Sequence, residues 1–137
     1  PGKIDAGSQC DQPVIIMDFF PTLEAIAGLE PERDAICDGE NLLPLLQNDG
    51  QLNRDAIFFH YPNYAFHRSN RLGGAIRAGD WKLIENFDDN SVELYHLKED
   101  LGEQRDLAEA MPQRAEQLRR QLRDWRKESQ AAMPKRR

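Results

Sequence analysis

The residues from 75 to 97, AIRAGDWKLIENFDDNSVELYHL, narrow the fold more than any other part of this 137-residue chain. They divide into three short runs, 75–78, 80–87 and 92–97, with Gly79-Asp80 at the first break and Asp88-Asp89-Asn90-Ser91 at the second. Glycine reaches the backbone angles of tight turns, and Asp and Asn close turns through their own side chains. In the middle run Trp81, Leu83 and Ile84 are apolar while Lys82 and Glu85 are polar. That imperfect alternation suits an antiparallel sheet with one covered and one wet face. A meander of this size is marginal by itself, so its apolar side needs a cover.

The cover lies near the C-terminus. Behind Pro112, the residues Met111, Ala115, Leu118, Leu122 and Trp125 recur at intervals of four, three, four and three, which is one stripe of a helix. Burying Leu118, Leu122 and Trp125 is expected to contribute about 1.5–3 kcal/mol each. Upstream, DAIFFHY at 55–61 alternates and is rich in aromatic residues, so it supplies a first strand. A further apolar face, Phe19, Phe20, Leu23, Ile26 and Ala27, runs between Asp18, read as an N-cap, and Gly28, read as a stop. Asn41 caps a short helix in LLPLLQN. Nothing in the first fifty residues is large enough to cover the Phe19 face. The expected fold is α+β: a small four-stranded antiparallel sheet packed by a long C-terminal helix. The expected division falls between 1–53 and 54–137.

Charge is unevenly distributed. The tail 119–137 has eight basic and two acidic residues, a net of +6, which leaves −12 for the rest against −6 overall. A basic tail can bind phosphates or an acidic surface, but on a last helix it more often forms a solvated face suited to the helix C-terminus. The one aromatic residue among these arginines, Trp125, reads as core and not as a platform for bases, which argues against nucleic acid. No apolar run approaches the roughly 20 residues that cross a bilayer, which argues against a membrane span. The start, PGKIDAGS, has neither Met nor an apolar leader and reads as a fragment or processed product. Cys10 and Cys37 are too few for a disulfide scaffold and match no zinc spacing.

No GxSxG, P-loop, HExxH or paired CxxC is present. Asp88-Asp89-Asn90 lacks the glycine and downstream Glu of a calcium loop and reads as a hairpin turn. Trp81 and Trp125 read as core, and His96 as a packed or surface residue. The long polar loop 62–74 is the kind of segment that carries function. His60 ends the first strand, and Tyr64, His67, Arg68 and Arg71 follow in the loop. Arginines there would favour an anionic ligand, because the guanidinium fork matches sulfate, phosphate and carboxylate. A plain solvated loop fits the same pattern.

In order, PGKIDAGSQCDQPVIIMDFFPTLEAIAGL, CDGENLLPLLQ, FFHYPNY, AIRAGDWKLIE, ELYHLKEDLGEQRDLA and the LRDW of the last helix resemble the C-terminal part of the sulfatase family, within the alkaline-phosphatase superfamily. The resemblance implies that 54–137 is the family's smaller subdomain. It also implies that 1–53 is the helical end of a larger α/β catalytic domain, the natural partner of the Phe19 face. It further implies sulfate-ester hydrolysis using calcium and a formylglycine, both outside this chain. Neither Cys10-Asp11-Gln12 nor Cys37-Asp38-Gly39 matches the C/S-x-P-S/A-R modification context, so no catalytic or metal residue carries over. On this reading His60, Tyr64, His67, Arg68 and Arg71 line the outer rim of a substrate pocket for a sulfated small molecule or glycan. This chain alone would then be inactive and prone to self-association, and the family setting would be periplasmic or secreted. The alternatives are a phosphate- or phosphonate-ester hydrolase of the same superfamily, or a non-catalytic module binding an anionic partner through the 119–137 helix.

Overall fold

The computed structural model describes residues 4–30, 36–64 and 70–134. The chain divides into two compact units, Pro1–Arg54 and Asp55–Arg137.

In the first unit a single 3-10 turn, Ile16–Asp18, leads into α1, Phe19–Ala27, and a short α2, Leu43–Leu46, follows. Gly28 ends α1 at φ 70°, a left-handed conformation in which glycine carries no side-chain penalty. Asn41 does support α2, since its Oδ1 accepts the Leu43 N–H at 2.9 Å. Asp18 departs from the expected N-cap: its backbone is already helical and its side chain makes no capping bond to α1. The carboxylate turns into the unit and is fully buried. Arg54 Nη1 and Nη2 each donate to it at 2.6 Å, and the N–H groups of Ile15 and Glu40 donate at 2.8 and 3.0 Å. One turn on, Thr22 Oγ1 donates to the Asp18 carbonyl at 2.6 Å and accepts the Leu42 N–H at 2.8 Å. Gly39 lies close by, where a Cβ would fall 2.1 Å from the Met17 carbonyl oxygen. This polar hub ties residues 13–22, 39–42 and 54 together, while Phe19, Phe20, Leu23 and Ile26 each remain more than half exposed.

Burial alone would raise the Asp18 pKa, but the hydrogen bonds from Arg54, Glu40 and Ile15 outweigh it and hold the carboxyl at about 2, against an ordinary 3.8. The folded state therefore binds fewer protons than the unfolded chain between these values. Its contribution, about 2 kcal/mol from the size of the shift, is complete above the unfolded pKa and is lost as pH falls towards about 2. Carbon-detected NMR titration is expected to show Asp18 ionised well below pH 3.8. An ordinary carboxylate titration there would show that the hub does not form.

The second unit is a sheet in the order β1-β2-β3-β4, antiparallel throughout, with α3, Pro112–Glu128, across one face. The strands are β1 Ile57–Tyr61, β2 Gly73–Ala78, β3 Trp81–Asn86 and β4 Val92–His96. Ile76, Leu83 and Leu94 from the sheet meet Ala115, Leu118 and Leu122 from α3 in one buried cluster. Trp125 completes the stripe by stacking on Phe58, with ring centroids 4.9 Å apart and planes 2° from parallel. Met111, the first residue of the predicted stripe, stays exposed just before α3.

Two details differ from the expectation. Gly73-Gly74, read as the end of a loop, belongs to β2. A Cβ on Gly73 would fall 2.8 Å from the Glu85 carbonyl oxygen, and one on Gly74 would press on Phe59 O at 3.2 Å and on Leu122 at 3.5 Å. These glycines permit close strand and helix approach. The second difference is the phase of β3: Trp81, Leu83 and Glu85 face α3, and Ile84 lies on the other side. The polar Glu85 is thus on the covered face. At the far edge of the sheet the charged connection after β4 pairs with it, through Leu94 N–H to Asp106 Oδ1 at 2.9 Å and Leu107 N–H to Leu94 O at 2.8 Å.

Candidate functional site

At the C-terminal end of α3 the second unit forms a cleft of about 930 Å³. Its sides are the α3 end, with Arg123, Arg126 and Lys127, the β3–β4 hairpin, with Phe87 and Asp88, and Tyr64 from the loop after β1. The hairpin is shaped by Asp89, whose Oδ1 accepts the Ser91 N–H at 2.9 Å and the Ser91 hydroxyl at 2.7 Å, with Asn90 at φ 60°. These Ser91 bonds hold the Asp89 carboxyl below its ordinary pKa.

Buried in the cleft wall is an ion triad. Glu85 accepts from Arg119 Nε at 2.7 Å and makes a short bond to Arg126 Nη2. Arg126 is itself buried, and its guanidinium lies 5.2 Å from the Phe87 ring centroid. Burial raises the Glu85 pKa, but the bonds to Arg126 and Arg119 more than offset this and hold the carboxyl below the usual range. Arg126 Nη1 is buried and has no hydrogen-bond partner among the described residues.

The five residues expected on the rim are not gathered at one point. Tyr64 lines the cleft, and its hydroxyl donates to Asp88 Oδ1 at 2.6 Å. His60 points to the α3 side, with Nε2 2.8 Å from the Ala132 carbonyl and its ring 5.5 Å from that of Phe87. It therefore tethers the segment after α3, four residues of which, Gln130, Ala131, Met133 and Pro134, line the cleft. Arg71 lines a shallow hollow of about 510 Å³ with Phe59, Tyr61, Ile84 and Lys82, which His60 also borders and no α3 residue lines. His67 and Arg68 lie outside the described residues. The basic character of α3 was legible in the sequence, but the triad was not, although one signal was available. Arg119 and Arg126 are seven apart, two helical turns, and both fall beside the apolar stripe.

Among the described residues no group of three or more His, Cys, Asp or Glu side chains could hold a metal ion. The acidic pair of the hairpin does not fit calcium either, since Asp88 accepts from Tyr64 and Asp89 from Ser91. Among the described residues no helix is long and apolar enough to cross a membrane.

The family described as N-sulphoglucosamine sulphohydrolase, C-terminal, matches residues 1–130. The chain belongs to this family. A sulfatase from Formosa agariphila is 33% identical over 140 residues, covering 91% of this chain and 25% of that protein. An N-acetylglucosamine-6-O-sulfatase from Bacteroides thetaiotaomicron is 35% identical over 104 residues, covering 73% of this chain and 18% of that protein. A solved structure holding its substrate, D-glucosamine-2-N,6-O-disulfate, superposes with a TM-score of 0.70 at 29% identity, covering 85% of this chain and 24% of that one. This sulfatase C-terminal chain therefore spans about a quarter or less of the length of these relatives.

Proposed function

We propose that the full-length protein hydrolyses a sulfate ester of a saccharide, and that this chain is its C-terminal part, which packs on a catalytic domain and shapes substrate choice. The observation carrying this reading is the family match over residues 1–130. The amino-sugar sulfates named for two of the relatives favour a sulfated amino sugar as substrate. In the first unit, the four large apolar side chains left exposed on α1 supply a face for the catalytic domain. Calcium and formylglycine belong to that domain.

Sulfate-ester hydrolysis displaces an oxygen from sulfur, and negative charge grows on the departing bridging oxygen. The groups that stabilise that charge must sit within contact of it. This chain's residues act at a distance from the sulfur, on the organic portion of the substrate. His60, Tyr64, His67, Arg68 and Arg71 form the rim. His60 does so indirectly, by holding the Ala132 segment. Isolated, the chain turns over no sulfate ester.

The test is alanine substitution at His60 and at His67 in the full-length protein. A fall of about tenfold in kcat/KM on a sulfated saccharide is expected, from a lost ligand contact at His67 and from loosening of the Ala132 segment at His60. Unchanged kcat/KM on the natural substrate would refute the rim assignment. Hydrolysis of phosphate esters in preference to sulfate esters would refute the reaction class.

A further inference from the structure

The triad in the cleft wall does not balance. Two guanidinium groups share one carboxylate, which leaves a net positive charge beside the cleft, with Arg126 and Glu85 each 8% exposed and Arg119 27%. A net charge that is only partly solvated favours a counter-charge nearby, and an anion in the adjoining cleft would supply one. The exposed cations on the same side add to the field. Arg123 pairs with Glu116 at 2.7 Å and Lys127 with Asp124 at 3.9 Å, but all four side chains are substantially exposed. Such pairs are weak, and a ligand anion exchanges with them readily. Across the cleft the one opposing carboxylate among the described residues, Asp88, already accepts from the Tyr64 hydroxyl. The volume, about 930 Å³, is near the upper end of ordinary small-molecule pockets, and Tyr64 and Phe87 give it apolar surface against which a sugar ring can lie.

We propose that this cleft is an anion subsite, taking a second sulfate or a carboxylate from a saccharide chain whose reacting sulfate is bound elsewhere in the full-length protein. The inference rests on the sulfatase reading only for the identity of that ligand. Arg123 and Lys127 make the direct contacts, and the buried triad supplies the background potential. Recognition of this kind weakens as salt screens the charges.

The experiment compares the full-length protein with its Arg123→Gln, Lys127→Gln double variant. Both sites are exposed, so folding should be unaffected. For a sulfated tetrasaccharide, KM is expected to rise about tenfold at low salt, and the difference should shrink at high salt. For a small monosulfated aryl ester, kcat/KM should not change. Equal losses on both substrates, or none on either, would overturn the subsite. Calorimetric binding of the same tetrasaccharide to both proteins separates this from the reaction class. Variant-sensitive binding without any sulfatase turnover would leave the cleft standing and remove the proposed activity. Binding that the variant does not alter would remove the cleft.

Discussion

Replacing Glu85 with alanine is expected to destabilise the second unit by about 3–5 kcal/mol, because it leaves the buried Arg126 without its counter-charge. The loss should appear as a lower urea midpoint followed by far-ultraviolet circular dichroism. A second variant separates charge from packing. Changing Glu85 and Arg126 together to leucine removes both buried charges and leaves Arg119, which is 27% exposed, free to turn outward. Replacing a buried pair by apolar groups is often neutral or stabilising. The double variant should therefore recover most of the stability lost in Glu85→Ala. If Glu85→Ala cost under about 1 kcal/mol, the triad would have to be solvated in solution.

The other large effect is expected at Leu122, which is fully buried against Ile76, Leu83 and Leu94. Leu122→Ala removes three carbons from the centre of the helix–sheet interface and should cost about 2–5 kcal/mol, depending on how far the site collapses. Leu101→Ala is the matched control, since Leu101 is 82% exposed, and it should stay within about 0.5 kcal/mol of the parent. Equal costs for the two substitutions would mean that α3 does not pack on the sheet as described.

Most of the second unit's architecture could be read in the sequence because period and punctuation agree there. The alternation in 80–87, the Gly79 turn with φ 58° and the 3.6-residue stripe of α3 each point to one arrangement. What could not be read was the set of polar side chains turned inward. Glu85 carries no local sign that a helix 34 residues later supplies its counter-charge. Asp18 sits where an N-cap would, and only the Arg54 guanidinium, 36 residues on, gives it another use. Pairings of this range depend on the completed fold, and no window of sequence contains them. The candidate site was legible only as a polar loop. Its residues part company because Tyr64 lines the cleft beside α3 while Arg71 lines a separate hollow, which His60 borders even as its Nε2 reaches the Ala132 carbonyl.

The two borders of the sheet are unequal. β4 is bonded on its outer side, at Leu94, by the Asp106–Leu107 stretch, whereas among the described residues β1 pairs with β2 alone and carries the exposed Phe59 and Tyr61. An uncovered, aromatic-rich border is a template for strand addition. Growth of this sheet is therefore one-directional. An extra strand, such as one from a neighbouring molecule, finds its open backbone groups on β1, and a lysine at Phe59 would be the means of blocking it.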